Sequence, residues 1–286
     1  VTLAVVAALV AAFCFALASN MHQRAAKQQS PRRTLDPRLL WRLLRTRLWQ
    51  LGWAPDVTGA LAQALALRNG PLAVVQPLLA TGLFMAILVE AAWDRRPVPR
   101  RDLVATLVGT VGLVAFLVTV NPRAGVEEPD ATAWGWVAVG AAGAVAGCLV
   151  VARTTSGATR GALLGVATGV LYGMAAALLK AVATRFHGDV PALFTDPRLA
   201  ALVVVALVGV QLNQNAFQSG QIAAPLTALT LTEPVTGVVV GVTAFHETLS
   251  LDGVRIPLVV LAAAMITLGV RLAGTAPRAP ARCRTG

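Results

Sequence analysis

Nine runs of mainly apolar residues succeed one another along this chain, at 2–19, 50–68, 71–92, 102–120, 133–152, 160–183, 198–218, 222–246 and 254–273. A helix needs about 20 such residues to cross a hydrocarbon core, where no water bonds the backbone and every N–H and C=O must be satisfied inside the segment. The pattern predicts an all-α polytopic membrane protein of about nine transmembrane helices. Composition agrees: 56% of the residues are hydrophobic and 13% charged, whereas about a quarter are charged in soluble domains. The run beginning at Val1 lacks a basic leading region and is followed by Asn20, His22 and Arg24. It is expected to be a first spanning helix, not a cleaved signal peptide.

A net charge of +11 would suit nucleic acid if the basic residues shared one soluble face. They gather instead between the apolar runs, and no nucleic-acid partner is expected. Cytoplasmic connections carry the excess of Lys and Arg. Placing 20–49, 93–101, 153–160 and the C-terminal tail inside leaves only Arg68, Arg123, Lys180, Arg185, Arg198 and Arg255 outside. The expected topology in the plasma (inner) membrane is therefore N-terminus outside, C-terminus cytoplasmic. Within 20–49, Arg38, Arg42 and Arg45 share one helical face while Leu40, Trp41, Leu44 and Leu48 share another. The segment is either a basic amphipathic helix on anionic lipid headgroups or a solvated basic loop. The tail 274–286, with Arg278, Arg282 and Arg284, is expected to be disordered. Cys14, Cys148 and Cys283 have no metal-ligand spacing, so neither zinc nor a disulfide is expected.

An internal repeat is legible at an offset of 157, which lays Gln76-Pro77 on Glu233-Pro234, Glu90 on Glu247 and Phe15 on Tyr172. Near the preceding loop the offset becomes 150 and lays Gln63 on Asn213. The expected organisation is a first half at 1–121, a linker with the fifth helix at 122–153, and a second half at 154–273. An odd spacer inverts the second four-helix unit relative to the first, an architecture that places transporter sites at the repeat interface. Gly109, Gly112, Gly140, Gly143, Gly147, Gly165 and Gly169 are expected to let helices approach closely.

Glu233 stands near the centre of the run 222–246. A charge at that depth costs roughly 2.5–3.5 kcal/mol on insertion scales, which makes a functional site the default hypothesis. Pro234 removes a backbone donor beside it, and with Pro77 is a candidate hinge. In the seventh run, Gln211, Gln214, Asn215 and Gln218 follow i, i+3, i+4, i+7 spacing and share a face. Their amides either line a wet cavity or bond between helices. Asp56, after Pro55, either faces Glu233 or caps a helix restarted after the proline. Gln63, Gln76 and Tyr172 are substrate-binding candidates or packing contacts. Lys180 is expected to snorkel to the interface, Glu90 and Glu247 to cap helices or pair in loops, and His246 to be interfacial.

The stretch from Ala224-Pro225 through Glu233-Pro234-Val235 to His246-Glu247-Thr248-Leu249, with a weaker copy from Gly70-Pro71 through Gln76-Pro77 to Glu90, resembles the drug/metabolite transporter superfamily in its EamA-type members. The resemblance covers roughly 50–120 and 160–273. EamA-type members usually have ten helices. Here the loops 20–49 and 184–197 stand where a second helix of each half would be, and with the extra helix 133–152 this is more similar to the nine-helix NIPA-like branch, associated with magnesium transport.

No phosphate-binding loop, paired-histidine motif or nucleophile-and-base set is present in the sequence. The expected protein is not an enzyme, has no catalytic residues, needs no cofactor, and moves a small polar metabolite by alternating access on a proton or ion gradient. A divalent-cation transporter and a non-transporting scaffold or accessory subunit are the alternatives, and the metal ligands of the former are unknown.

Overall fold

The computed structural model describes residues 2–27, 45–95, 97–98, 100–123, 125–126, 128–186, 188–217, 223–249 and 253–274. Most of the basic segment of the first loop, Gln218 and the tail beyond 274 lie outside the described residues. The chain folds into α1 (Thr2–Lys27), α2 (Arg47–Asn69), α3 (Leu72–Ala80), α4 (Gly82–Trp93), α5 (Arg100–Val120), α6 (Ala131–Thr154), α7 (Gly157–Arg185), the short α8 (Val190–Thr195), α9 (Pro197–Phe217), α10 (Ala223–Thr243) and α11 (Arg255–Gly274). Among the described residues, each of the nine apolar runs is mainly helical, and the eighth leaves its helix after Thr243.

Among the described residues, five stretches are long and apolar enough to cross a membrane: Thr2–His22, Leu72–Trp93, Leu103–Val120, Ala131–Thr154 and Thr159–Arg185. Pro197–Asn213, Ala228–Thr243 and Arg255–Gly269 are shorter apolar helices. The outer surface is apolar too, with Val118 and Trp136 each 74% exposed, while the interior is rich in alanine. That inversion of a soluble protein suits a lipid solvent, and the chain is a multi-pass helical membrane protein.

The helices pair by close approach. α1 packs on α2 and on α4; α7 packs on α10 and α9; α5 lies against α11, and α3 against α10. A Cβ on Gly269 would stand 2.7 Å from the Gly109 Cα, and one on Gly112 would stand 2.7 Å from the Met265 Cβ, so these positions admit no side chain. Gly140, Gly143 and Gly147 differ from expectation. They have open space beside them, because α6 touches the bundle chiefly through one face, on α7.

Three local features also depart from the sequence reading. α1 continues beyond residue 19, because its polar last turns find partners: Asn20 Nδ2 donates to Ala86 O at 3.0 Å, and Arg24 pairs with Asp94 over the Trp93 ring. α2 runs through Pro55 without restarting, so Asp56 is not an N-cap. The 184–197 connection contains α8, capped by Asp189.

Pro77 and Pro234 act differently on their helices. α10 continues through Pro234. In α3 the helix gives way at Thr81, whose N–H turns to Leu78 O at 3.1 Å and whose hydroxyl donates to the same oxygen at 2.6 Å; α4 starts anew from there.

The helix ends sort to two faces. One gathers the start of α3, the ends of α7 and α10 and the 121–130 connection, where Arg123 and Thr248 exchange backbone bonds of 3.0 and 3.2 Å. Arg185 reaches Glu128 at 2.5 Å on the same face. The other carries the joined ends of α1 and α4.

Candidate functional site

Glu233 sits in the stretch where α10 lies close against α7. A Cβ on Gly169 would be 3.0 Å from the Glu233 nitrogen, and one on Gly173 would be 3.0 Å from the Glu233 carbonyl oxygen. The two glycines bring the backbones together and leave Tyr172, between them in sequence, beside the acid. Glu233 and Asn213 of α9 both lie near the Tyr172 phenol. The Tyr172 ring is seated on Gly209, where a Cβ would come within 2.7 Å of it. The Glu233 side chain keeps part of its surface open.

Gln76 approaches α10 from α3. It is 1% exposed, and its stem rests on Gly237, one turn beyond Glu233. Among the described residues, neither Nε2 nor Oε1 has a hydrogen-bond partner. A buried amide left unbonded costs about 1–3 kcal/mol, so its retention calls for an explanation outside packing.

The other candidates are dispersed. Asp56 Oδ2 lies 3.3 Å from His22 Nε2, in a cluster with Trp49 and Trp53. Gln63 is partly buried on α2, and Gln211 is exposed on α9. Asn215 Nδ2 donates back to Gln211 O of its own helix at 2.9 Å. The side chains of Gln214 and Gln218 lie outside the described residues. Asn213 falls off the i, i+3, i+4, i+7 stripe of its helix, and only its superposition on Gln63 in the repeat singled it out. Among the described residues, no three His, Cys, Asp or Glu side chains are grouped as a metal site would require. A groove of about 420 Å³ between α1 and α4 is lined by Phe13, Leu17, Leu88, Val89, Ala92 and Trp93 and contains none of these polar groups.

Lys180 does not snorkel. It is 5% exposed, and its Nζ lies 2.5 Å from Glu247 Oε1 and 4.4 Å from the Phe245 ring centroid. Glu247 also accepts from the first-turn N–H groups of α3, Leu72 at 2.5 Å and Ala73 at 2.9 Å. The expected capping or pairing role of Glu247 is thus filled twice, across 175 residues of chain. His246, exposed and at φ 51, reverses the backbone so that Glu247 N–H returns to Gly241 O at 2.9 Å. Gly241 leaves the space that the Glu247 carboxylate fills.

No protein-family model matches the chain, and no solved structure matches it. The chain is similar to an uncharacterized protein of Corynebacterium glutamicum, with 25% identity over 234 residues that cover 82% of this chain and 81% of the other.

Proposed function

We propose that this protein is a secondary transporter of a small polar metabolite, working by alternating access around Glu233. The observation that carries the reading is the junction of α3, α7 and α10, where Tyr172 lies near Glu233, Gln76 packs on Gly237 one turn along α10, and the Gln76 amide has no hydrogen-bond partner among the described residues. Such a group suits a ligand that brings the missing donor and acceptor. Helix pairing supports the inverted repeat. α1 with α2 and α4 has its counterpart in α7 with α9 and α10, while α3–α10 and α5–α11 join equivalent elements across the two units. In this reading α3 and α4 form one span and α6 is the spacer, which makes nine. The basic connections put the face bearing Glu247 outside, with the N-terminus. Pro77 and Pro234 are the hinges, and anionic lipid meets the basic loop 20–49.

The experiment is a thermal-shift screen of the purified protein and Glu233→Gln against amino acids, amines, nucleosides and divalent ions at several pH values. A ligand at about 100 times its Kd stabilises by about 2.7 kcal/mol. Stabilisation by one organic class that is lost in Glu233→Gln is the expected result. Stabilisation by magnesium, lost in the variant, would turn the reading to cation transport, and shifts unchanged by the variant would remove Glu233 from the site.

A further inference from the structure

Three polar layers descend along one side of α10. Gly241 faces the Glu247 carboxylate, Gly237 faces Gln76, and Glu233 follows. The layers are four residues apart, and at 1.5 Å per residue Glu233 lies about 12 Å below the outermost one. The deepest two belong to the site already described. The outermost joins α3, α7 and α10 through Lys180, Glu247 and the Leu72 and Ala73 N–H groups. Phe245 covers Lys180 and in turn meets Trp134 of α6 edge-on at 6.1 Å.

Stability alone does not account for an ion pair here. Side chains 7% and 0% exposed have lost most of their hydration, and the Coulomb gain of such a pair roughly offsets that loss, so apolar groups of similar volume hold helices together equally well or better. The difference appears on separation. An apolar seal loses its burial when it opens, whereas Lys180, Glu247 and the α3 N-terminus are rehydrated. A charged closure therefore keeps open and closed states within the few kcal/mol that allow both to be populated.

We propose that Lys180 and Glu247 form the latch that closes the path to Glu233 on the face carrying the start of α3. This rests on the transporter reading. The latch ties α3, of the first unit, to α7 and α10, of the second, and its opening exposes Gln76 before Glu233.

The test uses the full chain in right-side-out and inverted membrane vesicles, with Cys14, Cys148 and Cys283 changed to Ala and Asn213→Cys as reporter beside Tyr172. A membrane-impermeant maleimide measures access from each face. From the latch face, Glu247→Gln and Lys180→Met are expected to label about tenfold faster than the parent, with no such change from the other face. The apolar pair Lys180→Met with Glu247→Leu, which leaves no unpaired charge, is expected to label more slowly than the parent from the latch face. Unchanged labelling in all variants, or acceleration equal on the two faces, overturns the proposal. Acceleration confined to the latch face alongside ligand shifts indifferent to Glu233→Gln would keep the latch and reject the Glu233 site.

Discussion

Gln76 rests against Gly237, one helical turn from Glu233, with neither polar atom of its amide hydrogen-bonded among the described residues. Gln76→Met keeps the shape and removes an unmet bonding requirement. The variant is expected to be more stable by about 1–3 kcal/mol and to lose ligand-induced stabilisation. Thermal midpoints with and without ligand check both; a less stable Gln76→Met would show that the amide is bonded in the working protein.

Breaking the buried pair is costly because the remaining charge has no partner. Glu247→Ala is expected to lose about 3–5 kcal/mol. The double variant Lys180→Met, Glu247→Leu should lose less than either single change. Detergent-based unfolding of Lys180→Met, Glu247→Leu and the double variant, treated with the parent as a double-mutant cycle, measures the coupling; simple additivity would contradict the geometry.

Two glycines that look alike in sequence should behave oppositely. Gly169→Leu pushes a side chain into the Glu233 backbone and is expected to destabilise by about 1–3 kcal/mol or more. Gly140→Leu points into open space and is expected to stay within about 0.5 kcal/mol. Yield of folded protein and thermal midpoint compare the two.

On the outer surface of the bundle, the Arg185 hydrogen bond, with the charges of Arg185 and Arg198, holds the Glu128 carboxyl below the usual carboxylate range. A lowered folded-state value means that the contribution is complete above the ordinary glutamate range and is lost as pH falls through the lowered value. The pair is exposed and screened by solvent, so the effect is local. Proteolytic susceptibility of the 121–130 connection should rise between about pH 6 and pH 3. In Glu128→Gln it should be raised already at the higher pH and change little between the two.

The helices were legible because hydropathy over about 20 residues is a local property. Glu233, Gln76 and Tyr172 were legible as polar groups interrupting apolar runs. The approach of Gln76 to α10 one turn from Glu233 was foreshadowed only by the offset that superposed Gln76 on Glu233. Asn213 was hidden because the stripe drawn along α9 followed the densest polar face, whereas the face turned to Tyr172 is set by Gly209. Asp56 went to His22 because α2 packs along α1, and Lys180 looked like an interfacial lysine until its partner, 67 residues away, came into view.

What the sequence determined by itself is that this chain is a multi-pass bundle of helices with a few costly polar groups inside apolar segments. That follows from the price of unbonded backbone and unpaired charge in hydrocarbon. The tertiary structure decided which polar group meets which, and which glycines are contacts and which are open. These helices are apolar on every side and rich in alanine, so periodicity marks no face. Close approach at glycines, of backbone at Gly169 and Gly173 and of side chains at Gly237 and Gly241, selects the neighbours of these polar groups.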